Sequence, residues 1–284
     1  MRFAALAFVT LALAQDQPTG QLPPGLPGVG QAQGSQAAAP ALAVLEYSGK
    51  PMLLPFQCTE DDVQWGGLTC SEQEPCPIYL ELSAVEAVGS HLFAAGNIHS
   101  PSVTLYSAAV RSDDGGRTWR EIGERIRGAE LDHIQFLDPE TGWISGGIQF
   151  PLPRDPFLLV TADGGQSWQQ RPVFSEDADD HFGAIQQFFF GSRASGSLVI
   201  DRGRGAAGDR YEMYESQNLG ESWSFRESSG KPLRLRMAAP PAEWRLRADA
   251  VSHAFHIEHR IGERWNTAAA FAVKLGACGA RAGQ

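Results

Sequence analysis

One eight-residue pattern recurs along this chain and constrains its fold more than any other feature. The segment 112–119 reads SDDGGRTW, 161–168 reads TADGGQSW and 216–223 reads SQNLGESW. A fourth, degraded copy keeps only Gly262 and Trp265 of the pattern. The closing tryptophans follow one another after 49, 55 and 42 residues, which indicates an architecture that repeats one supersecondary unit.

The residue types in this pattern predict a tight hairpin turn in each copy. An Asp or Asn side chain accepts hydrogen bonds from turn N–H groups, and Gly adopts a positive φ without strain. A Thr or Ser hydroxyl adds a local hydrogen bond, and the Trp covers the hairpin. The positions to which we assign this structural role are Ser112, Asp114, Gly116, Thr118, Trp119, Thr161, Asp163, Gly165, Ser167, Trp168, Ser216, Asn218, Gly220, Ser222, Trp223, Gly262 and Trp265.

A second register runs in step with the first. Trp143, in the run FLDPETGWISG, lies 25 residues before Trp168, and Trp244 lies 21 residues before Trp265. Apolar alternation and turn residues predict four short strands in the second unit, at 133–137, 143–149, 157–161 and 167–173. The chain is therefore predicted to be all-β, with one four-stranded sheet per repeat and the recurring turn between the third and fourth strands.

The pattern S/T-x-D-x-G-x-T/S-W resembles the Asp-box, or BNR, repeat, and the resemblance covers roughly residues 78–268. Two copies match fully, the third has Asn218 in place of Asp, and the fourth is degenerate. The resemblance implies a β-propeller of four-stranded blades. The element F-x-D-x-x-x-G-W-x-x-G followed by T-x-D-G-G-x-S-W is most similar to the photosystem II stability/assembly factor-like group, which includes exported proteins of non-photosynthetic bacteria. Sialidases and sortilin-type receptors share the box.

The blade number follows from what lies outside the four units. The segments 43–46, 52–57 and 268–277 also have strand-like composition. We expect about five blades, the fifth shared by the two chain ends, and four blades with additional strands is the alternative.

The first 42 residues differ in composition from the rest of the chain. Residues 1–14 combine Arg2, an apolar run and a small-x-small ending at Ala14, which predicts a cleaved secretory signal peptide. Residues 15–42 are rich in Pro, Gly, Gln and Ala and predict a disordered spacer. The propeller domain is expected at 43–284, in an extracytoplasmic protein that is either periplasmic or secreted.

The cysteines fit an exported protein. An even number of cysteines in such a chain predicts two disulfides, and three pairings are open. One bridge from the cysteine cluster at 58–76 to Cys278 would tie the chain ends together. Spacings typical of a zinc site are absent from the sequence, and no metal is expected. The disulfide candidates are Cys58, Cys70, Cys76 and Cys278.

Charge and motifs exclude several classes of function. The net charge of −10, from 33 acidic and 23 basic residues, disfavours nucleic-acid binding. No apolar run after the first 14 residues is long enough to predict a transmembrane segment. The G-x-G-x-x-G at 203–208 is followed by a predicted strand rather than a helix, so no nucleotide cofactor is expected.

The leading functional hypothesis is a non-catalytic propeller that binds a protein or peptide partner, as an assembly or stability factor for a larger complex. Exposed loops at 149–156 and 172–182 are the predicted contact points. The alternative is a glycan-binding or sialidase-like glycoside hydrolase propeller, which requires arginines and carboxylates that converge. No catalytic residue is assigned, because nothing in the sequence makes its arginines converge, among them Arg111, Arg125, Arg127 and Arg171.

Overall fold

Apolar and polar residues alternate between clusters of Gly, Pro and Asp, and they fold into short antiparallel strands. A computed structural model describes residues 43–176, 180–206, 208–235 and 243–279. The predicted signal peptide and spacer, residues 1–42, lie outside these described ranges.

Strands dominate the described residues. In chain order the elements are β1 (Leu45–Glu46), α1 (Glu60–Trp65), β2 (Cys76–Val88), β3 (His91–His99), β4 (Thr104–Ser112), β5 (Thr118–Glu121), β6 (Ala129–Phe136), β7 (Gly142–Ile148), β8 (Arg154–Thr161), β9 (Gln169–Pro172), β10 (Ala184–Ser192), β11 (Ser195–Gly205), β12 (Gly208–Ser216), β13 (Ser224–Ser229), β14 (Trp244–Asp249), β15 (Ala254–Ile261), β16 (Arg264–Ala272) and β17 (Lys274–Cys278).

The strands form the blades of a β-propeller. Strands β2–β5, β6–β9 and β10–β13 are three successive four-stranded antiparallel meanders, here called blades 1, 2 and 3. Strands β14–β16 form a fourth, three-stranded sheet. The described residues thus give four sheets, within the predicted range of about five or four blades.

Each hydrophobic core lies between neighbouring sheets. Phe93 of blade 1 stacks on Phe136 of blade 2, with ring centroids 4.3 Å apart. Trp143 of blade 2 stacks on Phe190 of blade 3 at 3.9 Å. The fourth sheet packs against the opposite face of blade 1, where Phe271 meets a box tryptophan. The order in space is therefore fourth sheet, blade 1, blade 2, blade 3.

The chain ends complete existing sheets, which differs from the fifth shared blade we expected. Strand β1 pairs with β5 at one edge of blade 1, and β17 pairs with β2 at the other. Met52 forms a parallel bridge to Phe271 on the free edge of β16. These ends join sheets 1 and 4 because each finds an unpaired strand edge there.

The cysteines form two disulfides. Cys58 bonds Cys278 across a sequence separation of 220 residues, and Cys70 bonds Cys76 across 6 residues. The first bridge links the two ends of the described chain, and the second closes a small loop before β2.

Candidate functional site

The Asp-box residues lie in the hairpins between the third and fourth strands of blades 1 to 3. In the second copy, Asp163 accepts hydrogen bonds from the backbone N–H groups of Gln166 and Ser167 at 3.0 and 2.9 Å. The Thr161 hydroxyl donates to the same oxygen at 2.8 Å, and the other oxygen accepts from the Ser167 hydroxyl at 2.6 Å. Gly165 N–H in turn donates to the Thr161 hydroxyl at 2.8 Å.

The first and third copies repeat this network. Asp114 accepts from the N–H groups of Arg117 and Thr118. Asn218 accepts from the Ser222 N–H at 3.1 Å, while its amide donates to the Ser222 hydroxyl at 3.0 Å. The remaining box contacts run through Ser112, Gly116, Thr118, Trp119, Ser216 and Gly220. The three networks sit in different hairpins, so the structure does not bring them to one site.

The fourth copy forms a simpler turn. Gly262, at a φ of +63°, closes a two-residue loop between β15 and β16. Trp265 lies under the guanidinium of Arg245, which is 4.2 Å from its ring centroid. The Arg260 side chain donates to the Gly262 carbonyl. This hairpin has lost the hydroxyl and carboxylate ligands because its sequence no longer contains them.

An exposed apolar surface lies at the end of the blades opposite the boxes. We call it the loop patch and define it as Trp65, Phe150, Leu152 and Phe182. The exposed fractions are 43% for Phe150, 58% for Leu152 and 50% for Phe182. The patch gathers residues from the helix α1 and from both of the loops that the sequence indicated as contact points.

Backbone and ring contacts hold the loop patch together. The Trp65 and Phe150 rings lie 5.8 Å apart. The loops that carry Leu152 and Phe182 are joined by a hydrogen bond of 3.0 Å, which Gly183 N–H donates to the Pro153 carbonyl. Part of the second predicted loop, residues 177–179, lies outside the described residues.

Helix α1 carries Trp65 of the loop patch, and the sequence analysis did not predict this helix. Thr59 caps the helix, and the Asp62 carboxylate accepts from the Thr59 N–H at 2.8 Å, so the two form a capping box. The Asp62 side chain is buried and also accepts from the Tyr106 hydroxyl. Burial raises the pKa of Asp62, but these hydrogen bonds and Arg127 outweigh it and hold that pKa below its usual range. The signal that reveals this helix is the spacing T-x-x-D at 59–62.

Three carboxylates from the first strands of blades 1 and 2 form a second candidate site. We call Glu81, Glu130 and Asp132 the inner carboxylates. The Ser83 hydroxyl on β2 donates to the carbonyls of Leu131 on β6 and of Ala95 on β3, which fixes the two strands side by side. This contact crosses between blades at the point where the carboxylates meet.

Burial and repulsion raise the pKa values of two of the inner carboxylates, Glu130 and Asp132. Burial, followed by repulsion from Asp132 and Glu81, raises the pKa of Glu130 to about 7. Burial and Glu81 raise the pKa of Asp132 to about 6. Such perturbed groups cluster at functional sites. No local pattern predicts this cluster, because the position of β2 against β6 is a tertiary feature.

The arginines that the sequence singled out do not converge on these carboxylates. Arg111 pairs with Asp113, Arg125 with Glu121, Arg127 with Asp61, and Arg171 with Glu221. Each lies beside a different carboxylate. The described residues contain no group of three or more His, Cys, Asp or Glu side chains arranged to hold a metal ion. Among the same residues, no helix is long and apolar enough to cross a membrane.

Comparison with known proteins gives weak matches to solved structures. No protein-family model matches this chain, and no curated protein does. YCF48 from Cyanidioschyzon merolae matches with 15% identity and a TM-score of 0.37, over 68% of this chain and 57% of that one. The α-L-arabinofuranosidase Arb93A from Fusarium graminearum matches with 14% identity and a TM-score of 0.36, over 67% and 57%. The endosialidase of phage phi92 matches with 12% identity and a TM-score of 0.38, over 75% and 44%.

This chain therefore covers 57% or less of the length of each of these three structures. They are similar to it in fold alone, since every identity is below 25%.

Proposed function

We propose that this chain is an exported, non-catalytic β-propeller that binds a protein or peptide partner through the loop patch. In this role it serves as an assembly or stability factor for a larger complex. The observation that carries the proposal is the loop patch itself, a set of exposed apolar side chains on a supported loop end. Exposed apolar clusters of this kind mark interaction surfaces, and aromatic residues dominate binding energy in such contacts.

The support under the patch favours binding without large rearrangement. Arg127 stacks over Trp65 at 5.7 Å and pairs with Asp61, so an ion pair to helix α1 holds the guanidinium over the ring. The Cys58–Cys278 and Cys70–Cys76 disulfides flank helix α1 in the sequence. A pre-organised surface loses less entropy on binding, which favours affinity.

Affinity capture tests the proposal. Immobilised protein is incubated with the envelope fraction of the source cells, and captured proteins are compared between wild type and the triple variant Phe150→Ser, Leu152→Ser, Phe182→Ser. We expect one specific partner to be lost with the triple variant. The matched control is Val251→Ser, because Val251 is 93% exposed but lies in the turn between β14 and β15.

Two results separate binding from stability. Trp168→Ala removes a partly buried box tryptophan and is expected to lower the midpoint of unfolding while the folded fraction still captures the partner. Capture that is equal for the triple variant and for Val251→Ser would contradict the proposal.

Export is part of the proposal. Two disulfides are compatible with an extracytoplasmic location, because such bonds persist in oxidising compartments. We expect the exported protein to begin at Gln15, which mass spectrometry of the periplasmic and secreted fractions would detect. Full-length protein confined to the cytoplasm would contradict this part.

Glycan binding or hydrolysis is the second candidate, and the inner carboxylates favour it. A carboxyl group with a pKa near neutrality suits a general acid, as Glu130 illustrates at about 7. Hydrolysis of glycan substrates by wild type, and its loss in Glu130→Gln, would support this candidate over partner binding.

A further inference from the structure

Two of the inner carboxylates, Glu130 and Asp132, have no cationic partner among the described residues. Neither Glu130 nor Asp132 forms an ion pair or hydrogen bond through its carboxyl group with another described side chain or backbone group. Glu81 lies 3.9 Å from the His99 Nε2, which is a marginal contact. Half-buried carboxylates without donors are costly, so a cluster of them is suited to an external donor.

Asn97 supplies an independent observation that points to the same place. Its side chain is only 5% exposed, and its Oδ1 has no hydrogen-bond partner among the described residues. On β3 it stands directly opposite Glu81 of β2, so both side chains project from the same face of blade 1. Phe93 and Ala95, on the same face of β3, pack against Leu131, which lies between Glu130 and Asp132. The unpaired Asn97 oxygen therefore lies on the face of blade 1 that carries Glu81 and packs against β6.

All of these groups accept hydrogen bonds, and the missing component is a donor with a positive charge. A guanidinium offers five N–H donors in a planar fork that matches carboxylates, and it has no acceptor. An ammonium offers a single compact charge and fits a spread cluster less well. The chemistry of the site thus favours an arginine side chain.

We propose that the inner carboxylates and the Asn97 Oδ1 form a receptor for an arginine side chain of the protein partner. The inference deepens the proposed function and rests on it for the identity of the ligand as part of a partner protein. Glu130 lies near the loop patch, because Gly128, two residues earlier in the chain, is in contact with the Trp65 ring. A partner seated on the loop patch can therefore extend an arginine into the receptor.

The electrostatics of the site agree with this geometry. Without a cation, burial and mutual repulsion hold the pKa values of Glu130 and Asp132 at about 7 and about 6. A bound guanidinium favours the ionised forms and lowers both values. The neighbouring titratable groups are His99 on β3, 3.9 Å from Glu81, and His133, which follows Asp132 on β6.

Nuclear magnetic resonance of the labelled full chain tests the receptor directly. The probe is N-acetyl-arginine amide at pH 7.5, and the matched control is N-acetyl-citrulline amide, which has the same shape without the charge. Sodium chloride keeps the ionic strength constant. We expect the arginine probe alone to give saturable shifts in the Asn97 side-chain amide and in the carboxyl carbons of Glu130 and Asp132.

Variants locate the effect. The double variant Glu130→Gln, Asp132→Asn is expected to bind the arginine probe about fivefold or more weakly. The loss of an ion pair of about 1 kcal/mol has that effect. Glu81→Gln, on an exposed residue, provides a second variant with little risk to folding. Glu140→Gln, at an exposed carboxylate outside the site, is expected to leave binding unchanged.

Two outcomes would overturn the inference. One is an equal response to the citrulline probe, and the other is a response to arginine that persists unchanged in the Glu130→Gln, Asp132→Asn variant. The loop-patch triple variant should bind the probe normally. If the wild-type chain binds the arginine probe but captures no partner, the proposed function alone is contradicted. If it captures a partner but does not bind the probe, the receptor alone is contradicted.

Discussion

Individual box residues explain why Asp is the usual choice in these turns. In the first copy, one Asp114 oxygen accepts from the Ser112 hydroxyl and from two backbone N–H groups. The other oxygen accepts from the Thr118 hydroxyl at 2.7 Å. Asn218 keeps the contacts from the Ser216 hydroxyl and the Ser222 N–H, while the Glu221 N–H bonds its backbone carbonyl instead. The last contact is reversed, because the Asn218 amide nitrogen donates to the Ser222 hydroxyl. Asn is therefore a workable substitute, whereas an apolar residue leaves several donors unpaired.

Substitution of Asp163 tests this account. Asp163→Ala removes the acceptor for two backbone N–H groups and two hydroxyls, and we expect a loss of about 1–2 kcal/mol in unfolding free energy at pH 7. Asp163→Asn reproduces the natural third copy and should lose clearly less. Urea denaturation of the three proteins compares these values. Equal losses for Ala and Asn would contradict a hydrogen-bonding role.

The same residue gives this prediction its pH dependence. Hydrogen bonds from Ser167 lead the contacts that lower the pKa of Asp163 from 3.8 to about 2. A carboxyl whose folded pKa is depressed stabilises the protein above its unfolded pKa, and this stability is lost as pH falls through the folded value. The difference between wild type and Asp163→Asn should therefore shrink from pH 4 toward pH 2.

At the scale of elements, the first strands of neighbouring blades fit together through local irregularity. Strand β2 has a register shift between Leu82 and Ala84 where it pairs with β3. Gly96 faces this shift, and a Cβ there would lie 1.9 Å from the Glu81 carbonyl oxygen, so only glycine fits. The irregularity lets Ser83 reach Leu131 on β6 and so places the inner carboxylates beside one another.

Glutamine side chains make a similar link farther along the ring. The Gln135 amide on β6 both donates to and accepts from the backbone of Phe190 on β10, at 2.8 Å in each case. Gln187 on β10 binds the backbone of Leu233 and Leu235 in the same way. The first pair couples the first strands of blades 2 and 3, and the second ties β10 to the segment that follows β13.

The inner carboxylates should reduce stability above neutral pH. Glu130 has a folded pKa of about 7 against an ordinary value of 4.5. A raised carboxyl pKa means that the folded state holds this proton more firmly than the unfolded state does. The contribution of Glu130 to stability is therefore greatest below pH 4.5 and is lost as pH rises through 7. We expect Glu130→Gln to be more stable than wild type at pH 8 and similar at pH 4.5. Thermal unfolding at both values measures this.

A matched substitution separates this effect from net charge. Glu140→Gln removes one charge at an exposed position. If it stabilises the protein at pH 8 as much as Glu130→Gln does, the gain reflects the net charge of −10 rather than the burial of Glu130.

The sequence predicts elements far better than it predicts the candidate sites. The box at 161–168 and the strand pattern around Trp143 are local, and the structure has the all-β propeller architecture that they indicate. The approach of Asn97 to Glu81, and of both to β6, depends on strand register and blade packing, which no local pattern encodes. Helix α1 is an intermediate case. Its capping box is visible in the sequence, but the helix is too short to give a helical pattern.

At the scale of the whole molecule, both ends of the described chain converge on blade 1 and the fourth sheet. Strand β17 pairs with β2, and Met52 exchanges two backbone hydrogen bonds of 2.8 Å with Ala270 and Ala272. Residues distant in sequence therefore complete the same sheets. These contacts hold both chain ends against the edges of the two sheets. A disulfide between the ends therefore stabilises the fold by lowering the entropy of the unfolded chain.

The two disulfides should differ in their contribution to stability. A cross-link across 220 residues constrains the unfolded chain more than one across 6 residues. Loop-closure entropy predicts a loss of about 5 kcal/mol for the double variant Cys58→Ser, Cys278→Ser and about 2 kcal/mol for Cys70→Ser, Cys76→Ser. Guanidinium denaturation of the two double variants measures these losses against wild type. Equal losses would show instead that the pairing of β17 with β2 already holds the ends together, because the long bridge would then add no more than the short one.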